Sequence, residues 1–147
     1  LLPFFQQTLA HLRTFMGNGF VDYSLHRKVI DMQSIEHMRG MSFENTLVIV
    51  EEAQGLTAAE FEMILSRIGD GTQIIFTGDE KQSDIKGING LTTTIAMLNK
   101  AIEDAPDYLD DDDLEQLDEN VGIVTFTPAD VVRSGLCKAF VRLYYYQ

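Results

Sequence analysis

Two short phrases hold the residues best suited to chemistry, VIVEEAQ at 48–54 and IIFTGDEKQ at 74–82. Each is an apolar, strand-like run that delivers acidic and amide side chains at its end. Carboxylates accept hydrogen bonds and bind hard cations, so Glu51 suits the water shell of a Mg²⁺ ion and Glu52 a polarised water. Thr77, Gly78, Asp79 and Gln82 form the second element. A glycine lets backbone approach a phosphate closely, and Gln82 can hydrogen-bond a terminal phosphate or the attacking water. An acidic pair after a strand usually marks a solvated turn, and a Gly-Asp turn is common. The two in succession are the layout of phosphoanhydride hydrolysis in a P-loop nucleotidase.

Arg39, Arg67 and Arg133 are the cations weighed beside them. Arg39 precedes Gly40 ahead of the first phrase, Arg67 flanks a helical stripe, and Arg133 follows a Thr-Pro turn. Any of them could stabilise transition-state charge, from this chain or a neighbour. Judged alone, each reads as a structural or surface arginine. His11, His26 and His37 share no metal-like spacing with Cys137. No GxxxxGK[ST] loop occurs, so the cradle for the α and β phosphates is not in these residues. Alone, they do not make a competent ATPase.

The elements that must position this chemistry follow from periodicity. Phe5, Leu9, Leu12 and Met16 predict a helix stopped by Gly17-Asn18-Gly19, and Val29 to Met32 reads as a short strand. Leu47–Val50 is a continuous apolar run, expected of a strand covered on both faces. Thr57 and Glu60 match a capping box, opening a helix through Phe61, Ile64, Leu65 and Ile68 that Gly69 is placed to end. Ile74–Phe76 is the second strand. Leu91, Ile95, Leu98 and Ile102 give another helix, and Ile123–Phe126 a third strand. Thr127-Pro128 opens a further helix, and Leu136, Phe140 and Leu143 form a last stripe, read with Tyr144–Tyr146 as a packed terminal helix. Strand and helix alternate with connections too long for hairpins, which predicts right-handed βαβ units and a parallel sheet. Ligands of such sheets bind at the carboxyl ends of the strands.

At 147 residues the chain is one domain at most, with 45% hydrophobic residues. Eleven Lys and Arg against 23 Asp and Glu give a net charge of −12. Residues 103–120 carry ten of those acids and no base, so the remainder stands at −2. That stretch reads as a solvated, flexible acidic insert. No basic stripe with interleaved aromatics is present, so composition does not support RNA or DNA as a partner. A single cysteine fits a reducing cytosol, and no apolar run is long enough to span a membrane. The expected location is cytoplasmic.

These residues together resemble the PhoH family of phosphate-starvation-associated ATPases, its bacteriophage branch in particular. The stretches that carry the resemblance, in order, are LLPFFQQTLAHLRTFMG, HMRG, LVIVEEAQ, EMILSRIGDGTQIIFTGD, NGL at 89–91 and TPADVVRSGLCKAF at 127–140. Nearly the whole chain is covered except 103–120. The resemblance implies an α/β fold with a parallel RecA-like P-loop NTPase sheet flanked by helices, present here as a partial domain. Residues 1–147 would be the C-terminal portion of a single domain whose Walker A loop lies upstream. It further implies ATP and Mg²⁺ as ligands and a ring homo-oligomer with sites between subunits, in the host cytoplasm if the chain is phage-encoded. RNA-directed roles are proposed for relatives that carry extra domains. By position, Glu51 becomes the Mg²⁺-associated acid, Glu52 the catalytic acid and Gln82 the γ-phosphate sensor. Gln54, Thr77, Gly78 and Asp79 fall among the nucleotide-binding residues, and Arg39, Arg67 and Arg133 on arginines of the family pattern.

Two departures matter. The family usually has Asp where this chain has Glu51, and many relatives have a second arginine at Met41. An extra methylene moves a carboxylate by roughly 1.5 Å, and misplacement of ~1 Å can cost ~10² in rate. A cation held through water could absorb that difference. The rival expectation is a non-catalytic RecA-like module kept for oligomerisation or partner binding.

Overall fold

A computed structural model describes residues 5–82 and 89–146. They form two compact units, one ending at Thr94 and the other beginning at Ile95. The first four residues of the N-terminal resemblance segment lie outside the described residues.

The first unit is α/β. Helix α1, Gln6–Met16, ends where expected, at Gly17, whose φ of 84° only glycine adopts at no steric cost. The Gly-Asn-Gly stop is also a start. A second helix, α2, runs Asn18–His26 and buries Val21 and Ser24. Sequence periodicity missed it because its inward face is only two residues wide. Residues 29–32 turn instead of forming a strand: the amides of Val29 and Ile30 both bond the carbonyl of Ser24, which folds the chain back on α2.

Strand β1, Leu47–Val50, and strand β2, Gln73–Phe76, pair in parallel with Val50 opposite Phe76. Helix α3, Ala58–Leu65, connects them. Its capping box is complete: the Thr57 hydroxyl accepts from the amide of Glu60, and the Glu60 carboxylate accepts from the amide of Thr57. Such a cap is worth ~1 kcal/mol. The helix ends at Leu65 with Ser66 as its cap, earlier than the stripe implied. Ile68 joins an isolated parallel bridge with Phe43, and Gly69 serves that bridge, since a Cβ there would lie 2.5 Å from the Phe43 carbonyl oxygen.

The core gathers Met38, Ala53, Leu56, Phe61 and Ile64, with Val50, Ile74, Phe76 and Leu91 packed against it. Phe61 stacks on Phe76 with ring centroids 4.4 Å apart. Only one face of the sheet is used. Leu47, Ile49 and Ile75 point away from this core and stay 57%, 54% and 40% exposed, so the expected cover on both faces is absent among the described residues.

Helix α4, Gly90–Asp104, begins in the first unit and continues into the second. In the second unit, residues Asp111–Asn120 of the acidic stretch form helix α5, capped by Asp110 through a box with Asp113. Three aspartates in its first turn sit at the positive end of the helix dipole, which accounts for order in so charged a segment. Residues 123–126 form no strand, and Ile123, Val124 and Phe126 are exposed. Thr127-Pro128 opens a turn closed by Asp130, and the final helix, α6, starts only at Gly135 and runs to Tyr145 behind the Ser134 cap. Its stripe of Leu136, Phe140 and Leu143 is exposed, in place of the packed helix expected. No helix among the described residues is long and apolar enough to cross a membrane.

Candidate functional site

The register of the sheet builds the site. With Val50 opposite Phe76, the next residues, Glu51 and Thr77, emerge side by side at the carboxyl ends of the strands. Two backbone bonds stitch the loops beyond: the amide of Thr77 donates to Val50 at 2.9 Å, and the amide of Ala53 donates to Thr77 at 2.9 Å. Between them Glu52 takes φ 55° and ψ 40°, the left-handed region that costs a residue with a side chain ~1 kcal/mol or more. This kink turns the chain from strand into a short 3₁₀ turn, Ala53–Gly55, and leaves the Glu52 carboxylate at the surface.

Gln54 is buried beneath that kink. Its Nε2 donates to Glu52 Oε2 at 2.8 Å, and its Oε1 accepts the amide of Asp79 at 3.1 Å. Asp79 itself organises the second loop. Its carboxylate accepts the amide of Lys81 at 2.9 Å and the side-chain amide of Gln82 at 2.8 Å. Gln82 thus lies folded onto Asp79. Gly78 makes its close approach to protein: a Cβ there would sit 2.6 Å from Gln54 Oε1 and 3.0 Å from the Gln54 nitrogen.

Glu51 is exposed and accepts a hydrogen bond from the Thr8 hydroxyl of α1 at 2.6 Å. Sequence reading missed Thr8, because nothing in its local pattern sets it apart from other polar positions of α1. The NGL triplet also gains a physical role. The Asn89 side chain caps α4 by accepting from Thr92, the Gly90 amide donates to Leu56 at 2.7 Å, and Leu91 packs on the core beside Gly78.

The arginines separate. Arg39 is exposed next to the 3₁₀ turn Ile35–Met38. There the Glu36 carboxyl is held below its ordinary value, first by a hydrogen bond from Ser34, then by its own backbone amide and the nearby charges of His37 and Arg39. Arg67 is half-buried and fastens the end of α3 to the preceding chain, with Nη1 donating to the Met41 carbonyl and Nε directed at Met63 Sδ. Arg133 is exposed in the second unit, between the Thr127–Asp130 turn and α6. None of the described arginines forms an ion pair with Glu51, Glu52 or Asp79.

Three exposed acids at one sheet end, without a paired arginine, form a negative surface suited to a cation. Among the described residues no group of three or more His, Cys, Asp or Glu side chains could hold a metal ion directly. A cation at this end would have to be held largely through water, as Mg²⁺ habitually is.

Residues 1–145 match the family model described as PhoH-like protein. The chain is 33% identical over 146 residues to "Protein PhoH" of Escherichia coli (strain K12), an alignment covering 97% of this chain and 36% of that protein. It is 30% identical over 142 residues to a "PhoH-like protein" of Synechocystis sp. and 28% over 144 residues to one of Bacillus subtilis, covering 39% and 40% of those proteins. The chain thus spans well under half the length of the curated relatives it matches. With its family match running over residues 1–145, the chain belongs to the PhoH-like protein family.

Proposed function

We propose that this chain supplies the hydrolysis side of a Mg²⁺-dependent ATPase, on a RecA-like sheet whose phosphate-cradling loop is contributed by other residues of the same protein. The observation that carries the reading is the parallel register that sets Glu51-Glu52 beside Thr77-Gly78-Asp79 at one sheet end. Glu52 polarises the attacking water, and its exposed carboxylate can accept a proton there. Glu51 orients the water shell of the cation. Mg²⁺, when bound, neutralises phosphate charge. Gln82 reads the terminal phosphate after leaving Asp79, and Arg39, Arg67 or Arg133 stabilises charge in a ring of subunits. The single Cys137 is compatible with a reducing cytoplasm.

Glu52→Gln in the full-length protein tests this. Mg²⁺-dependent ATP turnover should fall by ~10²–10⁴, with ATP binding kept. Unchanged turnover in the variant refutes the assignment of Glu52. The second reading, a non-catalytic module, draws on the Thr8 hydroxyl that already occupies Glu51 Oε2. ATP binding without turnover in the wild-type protein would establish it.

A further inference from the structure

Gln54 is only 5% exposed, and a buried amide is costly unless both of its ends are engaged. Here the ends reach different loops. Nε2 donates to the Glu52 carboxylate at 2.8 Å, while Oε1 accepts the Asp79 amide at 3.1 Å. These partners also fix the orientation of the amide. Flipping it would set an oxygen against the carboxylate and an NH₂ against a backbone N–H. Gly78 leaves the room, since a Cβ there would fall 2.6 Å from Gln54 Oε1. The strained backbone of Glu52 adds a reason for the link, because a left-handed residue persists only where its surroundings determine it.

We propose that Gln54 is a positioning residue that couples the Asp79 turn to the Glu52 carboxylate, and that it makes no contact with the nucleotide. The turn it reads is held closed by Asp79 itself, through Lys81 and Gln82. A ligand that draws Gln82 away from Asp79 loosens that turn, moves the Asp79 amide and reorients Gln54. The carboxylate of Glu52 follows. The coupling is reciprocal, so a change at Glu52 is felt at the Asp79 amide. The catalytic consequence rests on the ATPase reading, whereas the link itself does not.

The test combines hydrogen exchange at the Asp79 amide with ATPase kinetics, both on the full-length protein. Gln54→Leu removes both arms. Gln54→Glu keeps an acceptor for Asp79 and sets a like charge against Glu52. Gly78→Ala displaces the amide while Gln54 remains. Asp79 exchange should rise about fivefold in Gln54→Leu and Gly78→Ala, roughly the worth of one hydrogen bond, and by less in Gln54→Glu, which keeps the acceptor for Asp79 and loses only the tie to Glu52. Glu52→Ala should raise Asp79 exchange in the wild-type background and add nothing to Gln54→Leu. In all three Gln54 and Gly78 variants kcat should fall about 10- to 100-fold, with the Kd for ATP within about twofold.

An equal response to Glu52→Ala in both backgrounds overturns the link. So does weaker ATP binding at unchanged kcat, which makes Gln54 a nucleotide contact. Should Gln54→Leu fail to fold, the contrast between Gln54→Glu and Gly78→Ala at Asp79 decides the matter. A wild-type protein without turnover defeats the hydrolysis reading alone, because the exchange measurements still judge the link.

Discussion

Gly90→Ala offers a test in which two well-known effects oppose each other. Gly90 is the first residue of α4, where exchanging glycine for alanine ordinarily stabilises a helix by ~0.5–1 kcal/mol. A Cβ at this position, however, would lie 2.5 Å from the Thr57 carbonyl oxygen, 2.6 Å from Phe61 Cδ2 and 2.8 Å from the Thr57 carbonyl carbon. Neither neighbour can give way cheaply. Thr57 is the cap of α3 and is held by both bonds of its capping box, and Phe61 is 2% exposed and stacked on Phe76. Overpacking against such groups costs ~1–3 kcal/mol, and the Gly90–Leu56 hydrogen bond at 2.7 Å is stretched as well. Overpacking wins, leaving a net loss of ~1–2 kcal/mol, or roughly 2–8 °C in Tm for a chain of this size. Gly135 is the control. It opens α6 with nothing within 4 Å of its Cβ position, so Gly135→Ala should be neutral or stabilising by up to ~1 kcal/mol. Urea midpoints of the three proteins at equal m-values supply the measurement. A Gly90→Ala protein as stable as Gly135→Ala would show that the two backbones do not approach as described.

Thr57→Ala should lower stability by ~1 kcal/mol through loss of the α3 cap, read from the same urea titrations, and no change would show the cap to be dispensable. Thr8→Val removes the hydroxyl from Glu51 Oε2 and should lower the Mg²⁺ concentration for half-maximal hydrolysis roughly two- to threefold by freeing a charge-assisted acceptor. Thr8→Ser should restore it, and an unaltered Mg²⁺ requirement in Thr8→Val refutes the competition. Asp130 is held below its ordinary value first by the Thr127 amide and then by the Thr127 hydroxyl. Its folded-state value is depressed, so the turn's contribution is complete above the ordinary value of 3.8 and fades as pH falls through the lower folded one. Protection of the Thr127 amide, relative to its intrinsic exchange rate at each pH, should fall in that acid range, and in Asp130→Asn it should be lower at neutral pH and lose this acid dependence.

The parts of the fold legible in the sequence were those in which a local pattern and a tertiary partner agree. Leu47–Val50 and Ile74–Phe76 are continuous apolar runs rich in β-branched residues, and they pair with each other. Thr57 and Glu60 specify a cap that forms within four residues of chain. Ile123–Phe126 has the same strand-like pattern, yet a strand exists only where a neighbour accepts its backbone bonds, and among the described residues none does. The acidic stretch holds a helix that its composition does not announce. Its net charge argues for solvation, and α5 buries no residue, while Asp110 and Asp113 form a reciprocal cap that composition does not reveal. At the candidate site, Glu51-Glu52 and Thr77-Gly78-Asp79 follow paired strands, as their apolar runs implied. Roles that depend on distance were hidden, as with Gly78, whose missing side chain makes room for Gln54, and with Thr8, 43 residues from Glu51.

The uncovered face of the two-stranded sheet has a practical consequence. Leu47, Ile49 and Ile75 present β-branched and aliphatic surface beside strand backbone that is unpaired among the described residues, which is the combination that templates association between molecules. Expressed by themselves, these 147 residues should cling to one another and to column matrices, and their melting temperature should rise or fall with protein concentration. Stability comparisons among variants are therefore meaningful only at matched, low concentration or in the longer protein, where a drop in the yield of soluble material need not report any change in the site.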